Sequence, residues 1–383
     1  MNQRTWKWLV GVLALVFLLA ACGTQEKGGN GSQIPQMNRA GFDQSVQEYK
    51  AGVMSVAANL GEDEAVQALM NIPGEAPGVG AFSLGAALAA LGPQTAPQNA
   101  PGLLSAIMPL VDQDLERGKY DYDEANGWES DPSYQGDDLV LTWSFDDDQG
   151  DPHLAELTFD WNYGAGTVDA RDRDGSTIEM PQDMLITFKV DSQEVGSLHG
   201  EFAWYSCNGT PIAEPTSVSI SGYAGAGDRV ELTFNLSISD TRVSSSGSFS
   251  VRTGGDSASF EWDVWAEGTL NRDASCFISG FDVSSGHIYF KTTEAANGES
   301  HSYEFNTDFV VNFDDSGEPE SADLTNGFIK VDGTLAVAFS GTLDDANHNC
   351  VPGENVTLVF ADRTTTLEQY LIDQGVRPEC PSH

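Results

Sequence analysis

From Val230 to Ile238 every even position is apolar (Val230, Leu232, Phe234, Leu236, Ile238), and the positions between them are Glu231, Thr233, Asn235 and Ser237. A side-chain period of two, greasy on one face and polar on the other, marks an antiparallel strand with one buried side. The pattern returns at Val243, Phe249 and Val251, then at Phe260, Trp262 and Val264. Ser244 to Gly247 and Thr253-Gly254-Gly255-Asp256 read as the turns between these strands. This is a β-meander, and few folds accommodate one that continues as far as this does.

Upstream, the same alternation runs through Leu139, Leu141, Trp143 and Phe145, through Leu157, Phe159 and Trp161, and through Met184, Ile186, Phe188 and Val190. Leu198, Phe202 and Trp204 follow. Downstream come Phe281/Val283, Ile288/Phe290, Tyr303/Phe305 with Phe309/Val311/Phe313, Leu335/Val337/Phe339 and Val356/Leu358/Phe360. No helical pattern separates neighbours, so parallel crossovers are excluded and the sheet is mostly antiparallel. A dozen or more one-faced strands cannot stay flat; a barrel, half-barrel or sandwich is expected. At the end, Thr365 with Glu368 forms a capping box for a short helix with Leu367, Tyr370 and Leu371 inward and Gly375 as its stop.

Residues 36–118 have a different character. Phe42, Val46, Tyr49, Val53, Val56 and Leu60 fall at helical spacing, and Glu62-Asp63-Glu64 opens a second helix. Phe82, Leu84, Leu88 and Leu91 suggest a third, and Leu103 to Leu115 a fourth, interrupted at Pro109. The fold class is thus mainly β with a helical N-terminal part. Four segments follow: 1–21, 22–35, a helical unit 36–118, and an antiparallel β domain 119–383 ending in a helix.

The first segment carries Arg4 and Lys7 before an apolar run, Leu9 to Ala20, that is short for a membrane span. It ends Leu19-Ala20-Ala21-Cys22. This motif resembles the lipobox of bacterial lipoproteins at every position. The resemblance implies a removed signal peptide, a diacylglyceryl and acyl modification of Cys22, and attachment to a membrane of the bacterial cell envelope. Gly23, where a retention Asp would stand, favours the outer membrane. Residues 23–35 then form a Gly-rich tether reaching on the order of 20 Å.

Cys207, Cys276, Cys350 and Cys380 remain, an even number in an exported chain, with three possible connectivities. Strand-end positions favour Cys207 with Cys276; Cys350 follows the last long hairpin turn and Cys380 lies just past the C-terminal helix, so their bond would tie that helix to the sheet. The spacing does not suit zinc. Asp plus Glu number 58 against 18 Lys plus Arg, a formal charge of −40, which repels nucleic acid. Asp345, Asn347 and Asn349 offer oxygen ligands on alternate residues, loosely as calcium loops do, although Cys350 stands where such a loop needs glycine. Asp146-Asp147-Asp148 with Asp151 is a second calcium candidate. Polar turns use the same residues for backbone reasons alone.

Ser83 in Ala81-Phe82-Ser83-Leu84-Gly85 lacks the strand–turn–helix context of a nucleophile elbow. The six histidines show no metal spacing. Trp265 falls on the polar parity beside Glu261, Asp263 and Glu267, where it can meet a sugar, a partner or a covering loop. No catalytic residue emerges. The reading is a non-enzymatic structural or accessory envelope lipoprotein. A carrier of lipid or another hydrophobic ligand is the alternative, and a hydrolase the third. A protein partner is left unidentified.

Overall fold

The computed structural model describes residues 35–45, 117–147, 149–225, 227–296, 298–314, 319–344 and 351–374. A helical turn over 39–45 (α1) precedes eighteen strands and a closing helix, α2 (Leu367–Asp373). The strands are β1 (Gly118–Asp123), β2 (Gly127–Ser130), β3 (Leu139–Asp146), β4 (Pro152–Asp160), β5 (Thr167–Arg171), β6 (Thr177–Pro181), β7 (Asp183–Val190), β8 (Gln193–Cys207) and β9 (Thr210–Ala224). There follow β10 (Arg229–Ile238), β11 (Arg242–Thr253), β12 (Asp256–Arg272), β13 (Ile278–Ala296), β14 (Glu299–Phe313), β15 (Pro319–Val331), β16 (Thr334–Leu343), β17 (Asn355–Val359) and β18 (Thr364–Thr366).

From β7 to β18 each strand pairs antiparallel with the next, a meander of twelve strands. Beyond β7 the order continues β4, β3, β1, β2, while the β5–β6 hairpin touches β9 at Arg171 and Ile212. Edge strands β2 and β18 do not meet, so the sheet is open and the barrel is not formed. Two parallel pairs, β1 with β3 and the single bridge of β5 with β9, depart from the antiparallel expectation; the first is the longer. The β1–β3 pair needs no helical crossover, because β2 and residues 131–138 return the chain to the same end.

Two further expectations are corrected. Ser244 to Gly247 is no turn but the middle of β11, paired residue for residue with Trp265 to Trp262. A Cβ on Gly247 would lie 2.5 Å from Trp262 Cζ2, so the indole covers the glycine. Its Nε1 donates to Ser245 Oγ at 3.1 Å. Small residues here make room for a ring from the next strand, the device by which aromatic side chains rescue strand glycines. The α2 cap is Thr366, whose hydroxyl accepts from Gln369 N, because Thr365 is held in β18 opposite Leu358. Thr253 and Asp256 do close a two-residue turn, with Gly254 at φ +59°.

One face of the sheet is apolar throughout, and it builds two cores. The first gathers Leu139, Leu141, Trp143, Phe159, Met184, Phe188, Val218 and Ile220, with Ala170 and Met180 of the β5–β6 hairpin laid against them. The second gathers Phe290, Phe305, Ile329, Val337, Phe339 and Leu358 under Phe42, Leu367, Tyr370 and Leu371 of the two helices. The helices are tied together: Tyr370 Oη donates to Asp43 and Arg39 to Asp373. Between the cores, Leu232, Leu236, Val243, Phe249, Phe260 and Val264 occupy the same face yet stay only half-buried. Trp262 touches both cores.

Candidate functional site

Of the residues singled out from sequence, Cys22, Ser83, Asp345, Asn347, Asn349, Cys350, Cys380, Asp148, His348 and His383 lie outside the described residues. Cys207 and Cys276 are brought together as a disulfide across 69 residues. In the second calcium candidate, Asp147 Oδ1 accepts the backbone N–H groups of Gln149 and Asp151, closing the hairpin turn. Its other oxygen lies 3.5 Å from His153, which also bonds Asp191. Donated hydrogen bonds, first the Asp151 N–H, hold the Asp147 carboxyl below its usual range. Asp147 is therefore engaged as a turn residue. Among the described residues no three His, Cys, Asp or Glu side chains stand together as a metal site.

The disulfide belongs to a larger clamp. Strands β8, β9, β12 and β13 outrun the short β10–β11 hairpin, and their tips meet beyond its turn. Asn208 (φ +53°) and Gly209 (φ +87°) make one tip, the paired left-handed turn that hairpins favour. At the other tip Phe277 is buried with Ile212 and Cys207. Glu214, only 8% exposed, accepts the Ile278 N–H at 2.9 and 2.8 Å on its two oxygens. Arg173 donates to it at 2.8 Å and Arg272 at 3.4 Å. Arg272 also reaches the Cys276 carbonyl and lies 3.5 Å over the Tyr205 ring. A buried carboxylate with three donors is a structural joint.

Sequence reasoning missed Glu214 because Pro211 and Pro215 argue against a central strand. Both prolines fall where β9 has passed the end of β10, beside register shifts in its pairing with β8 and on either side of the single bridge from Ile212 to β5, where a strand tolerates a missing N–H.

Trp265 finds its place on the polar face. The Arg242 guanidinium lies 4.3 Å over its ring, and His287, its cross-strand partner, stacks at 5.9 Å and 17°. His287 Nδ1 lies 2.6 Å from Asp308, which accepts from Asn326 at 2.8 Å. One row thus crosses β11 to β15. Burial alone would raise the Asp308 carboxyl; the hydrogen bonds from Asn326 and His287 outweigh it and leave it lowered. His199 with Asp183 and His301 with Asp332 repeat the pairing. These side chains answer one another and present no nucleophile beside a base. The ring that was free to meet a sugar is flanked by side chains of its own sheet.

What the fold leaves available is the apolar face of β10 to β12. Val230, Leu232, Phe234, Leu236, Ile238, Val243, Phe249, Val251, Phe260, Trp262 and Val264 share it, with one charged residue, Asp256, at its edge opposite Thr253. At its rim stand Thr253 and Glu294, both buried, and Thr292. Burial holds the Glu294 carboxyl above its usual range. Comparison with known proteins adds no name to this surface: no family model, characterised protein or solved structure matches the chain.

Proposed function

We propose that this chain is a lipid-anchored protein of the bacterial cell envelope, held through Cys22 and serving a non-enzymatic structural or accessory role. The observation that carries the reading is Leu19-Ala20-Ala21-Cys22 at the end of a short apolar run, followed by a Gly-rich tether. The described fold is consistent with it. Long strands, a cross-linked clamp and mutually paired polar side chains suit a rigid scaffold standing off a membrane. The tether meets that scaffold at Gln36, whose N–H donates to Leu335 O.

The test is the mass of the mature N-terminal peptide after extraction from membranes. A diacylglyceryl and acyl addition on Cys22 supports the reading, together with loss of membrane retention in Cys22→Ala. An unmodified peptide, or unchanged retention of the variant, overturns it. A second reading, a carrier of lipid or another hydrophobic ligand, is favoured by the half-buried apolar face of β10 to β12. Native mass spectrometry of the purified protein would show a bound lipid as an added mass, and its absence removes that reading.

A further inference from the structure

Thr253, Asp256, Thr292 and Glu294 close one end of the apolar face. On it Ala258 lies between Val251 and Glu294 along one cross-strand row, and Phe260 lies between Phe249 and Thr292 along the next. Thr253 follows Val251 on the same side of β11, opposite Asp256. Glu294 is 5% exposed and Thr253 4%. Yet Glu294 Oε2, Thr253 Oγ1 and Thr292 Oγ1 are buried without a hydrogen-bond partner among the described residues. His301, the cross-strand partner of Glu294, is engaged elsewhere: its ring lies 3.2 Å from Asp332 and 3.9 Å from Glu299. Ala258, on the other side, offers only a methyl group. Buried acceptors are costly when unsatisfied, so three of them at one end of an apolar strip fit a ligand that brings its own donors.

The charge at that end selects the head of such a ligand. Burial, with Asp256 and Glu299 adding to it and His301 opposing, holds the Glu294 carboxyl above its usual range. A cation set against it would favour the carboxylate and form a charge-assisted hydrogen bond. An ammonium has three N–H donors and no acceptor, which matches two hydroxyl oxygens and one carboxylate oxygen. The strip selects the tail. Along β12 it runs through Ala258, Phe260, Trp262 and Val264, with Phe290 and Ile288 beside it on β13. Phe260 stacks on Trp262 at 5.7 Å and on Phe290 at 5.6 Å, so the floor is aromatic. From Ala258 to Val264 the strip measures about 20 Å at about 3.4 Å per residue. An alkyl chain that spans one leaflet, half of a core about 30 Å thick, is about 15 Å long and lies within it.

We propose that this face binds a single alkyl chain ending in an ammonium group, with the ammonium at Glu294, Thr253 and Thr292 and the chain along β12. The proposal rests on the carrier reading and adds the chemistry of the head. Titration calorimetry of the full chain tests it, with decylammonium, decanoate and decanol as probes below micelle-forming concentrations. Decylammonium should bind at least tenfold more tightly than either of the others. Glu294→Gln, which keeps the side chain's shape, should lose at least tenfold in decylammonium affinity while decanol binding stays within twofold. Thr292→Val, which removes one acceptor, should weaken decylammonium in the same sense. Glu261→Gln, on the polar face of β12, should change neither, which separates the site from the general attraction of an acidic protein for cations. Unchanged decylammonium affinity in Glu294→Gln, or an equal loss in Glu261→Gln, overturns the proposal and leaves the carrier reading standing. If none of the three probes binds, the carrier reading falls and the proposal falls with it.

Discussion

The first core and the strands β10 to β12 use the same alternation to different ends. In the first core Trp143 is 1% exposed, with Trp128 at 6.4 Å and Phe188 at 6.1 Å. In the middle strands Leu232 and Phe249 are cross-strand partners on the same face and only half-buried. Period-two patterning therefore specifies which side of a sheet is apolar, and a second layer decides whether that side becomes a core. The β5–β6 hairpin and the helices supply that layer at the two ends.

The largest test of this contrast is truncation. Trp143→Ala should cost about 4 kcal/mol, the order for a large aromatic removed from a closed core, whereas Leu232→Ala should cost about 1 kcal/mol because its half-exposed side chain loses less burial. Denaturant unfolding measures both, and equal costs would erase the distinction. Next comes the clamp. Reducing Cys207–Cys276 opens a loop of 69 residues, and loop-closure entropy sets the expected loss at about 4 kcal/mol at most, strain and residual structure lowering it. Exchange at residues 205–214 and 272–278 should rise first, while amides beside Trp143 keep their protection.

Gly247→Val should cost about 2 kcal/mol, since overpacking forces a neighbour aside and here the obstacle is the Trp262 indole, with Thr233 O at 2.2 Å. Trp262 fluorescence would report the displacement; an unshifted spectrum and unchanged stability would show that the indole is not seated on the glycine. The smallest effect has the opposite sign. Burial raises the Glu294 carboxyl, so its ionised form opposes folding above the folded-state pKa, and that opposition disappears below the unfolded value. Glu294→Gln should accordingly stabilise by about 1 kcal/mol at neutral pH, the order of one unsatisfied buried group. The gain should vanish as pH falls below the ordinary glutamate range. A gain independent of pH would assign it to packing instead of charge.

Much of this sheet could be read directly from residue parity, and its omissions have physical causes. Phe281 and Val283 fall on odd positions and Ile288 and Phe290 on even ones, which suggested two strands. They are one strand, β13, with a register shift opposite Glu267 and Gly268. A bulge reverses the apparent parity without ending the strand. The same shift hides β15, where Leu324 and Ile329 both face the second core across an irregularity at Leu324 to Gly327. Thr210 to Thr216 was disguised by its prolines. Among site residues, the Cys207–Cys276 pair was legible because Cys207 ends β8 and Cys276 lies in the turn just before β13. Glu214 and Arg272 were not, since in a chain with 58 acidic residues nothing local marks the one carboxylate that two hairpin tips will enclose.

The lodging of residues 36–45 among β14, β16 and α2 also bears on the order of assembly. Gln36 pairs with Leu335, Ser45 with Tyr303 and Asp43 with Tyr370, contacts separated by 258 residues or more in the last two cases. Contacts so distant along a chain form slowly, because a long loop must close before they contribute. During synthesis the buried residues of the first core are all present once β10 has emerged, whereas the second waits for Tyr370. The part of the molecule that receives the beginning of the chain is completed by its end.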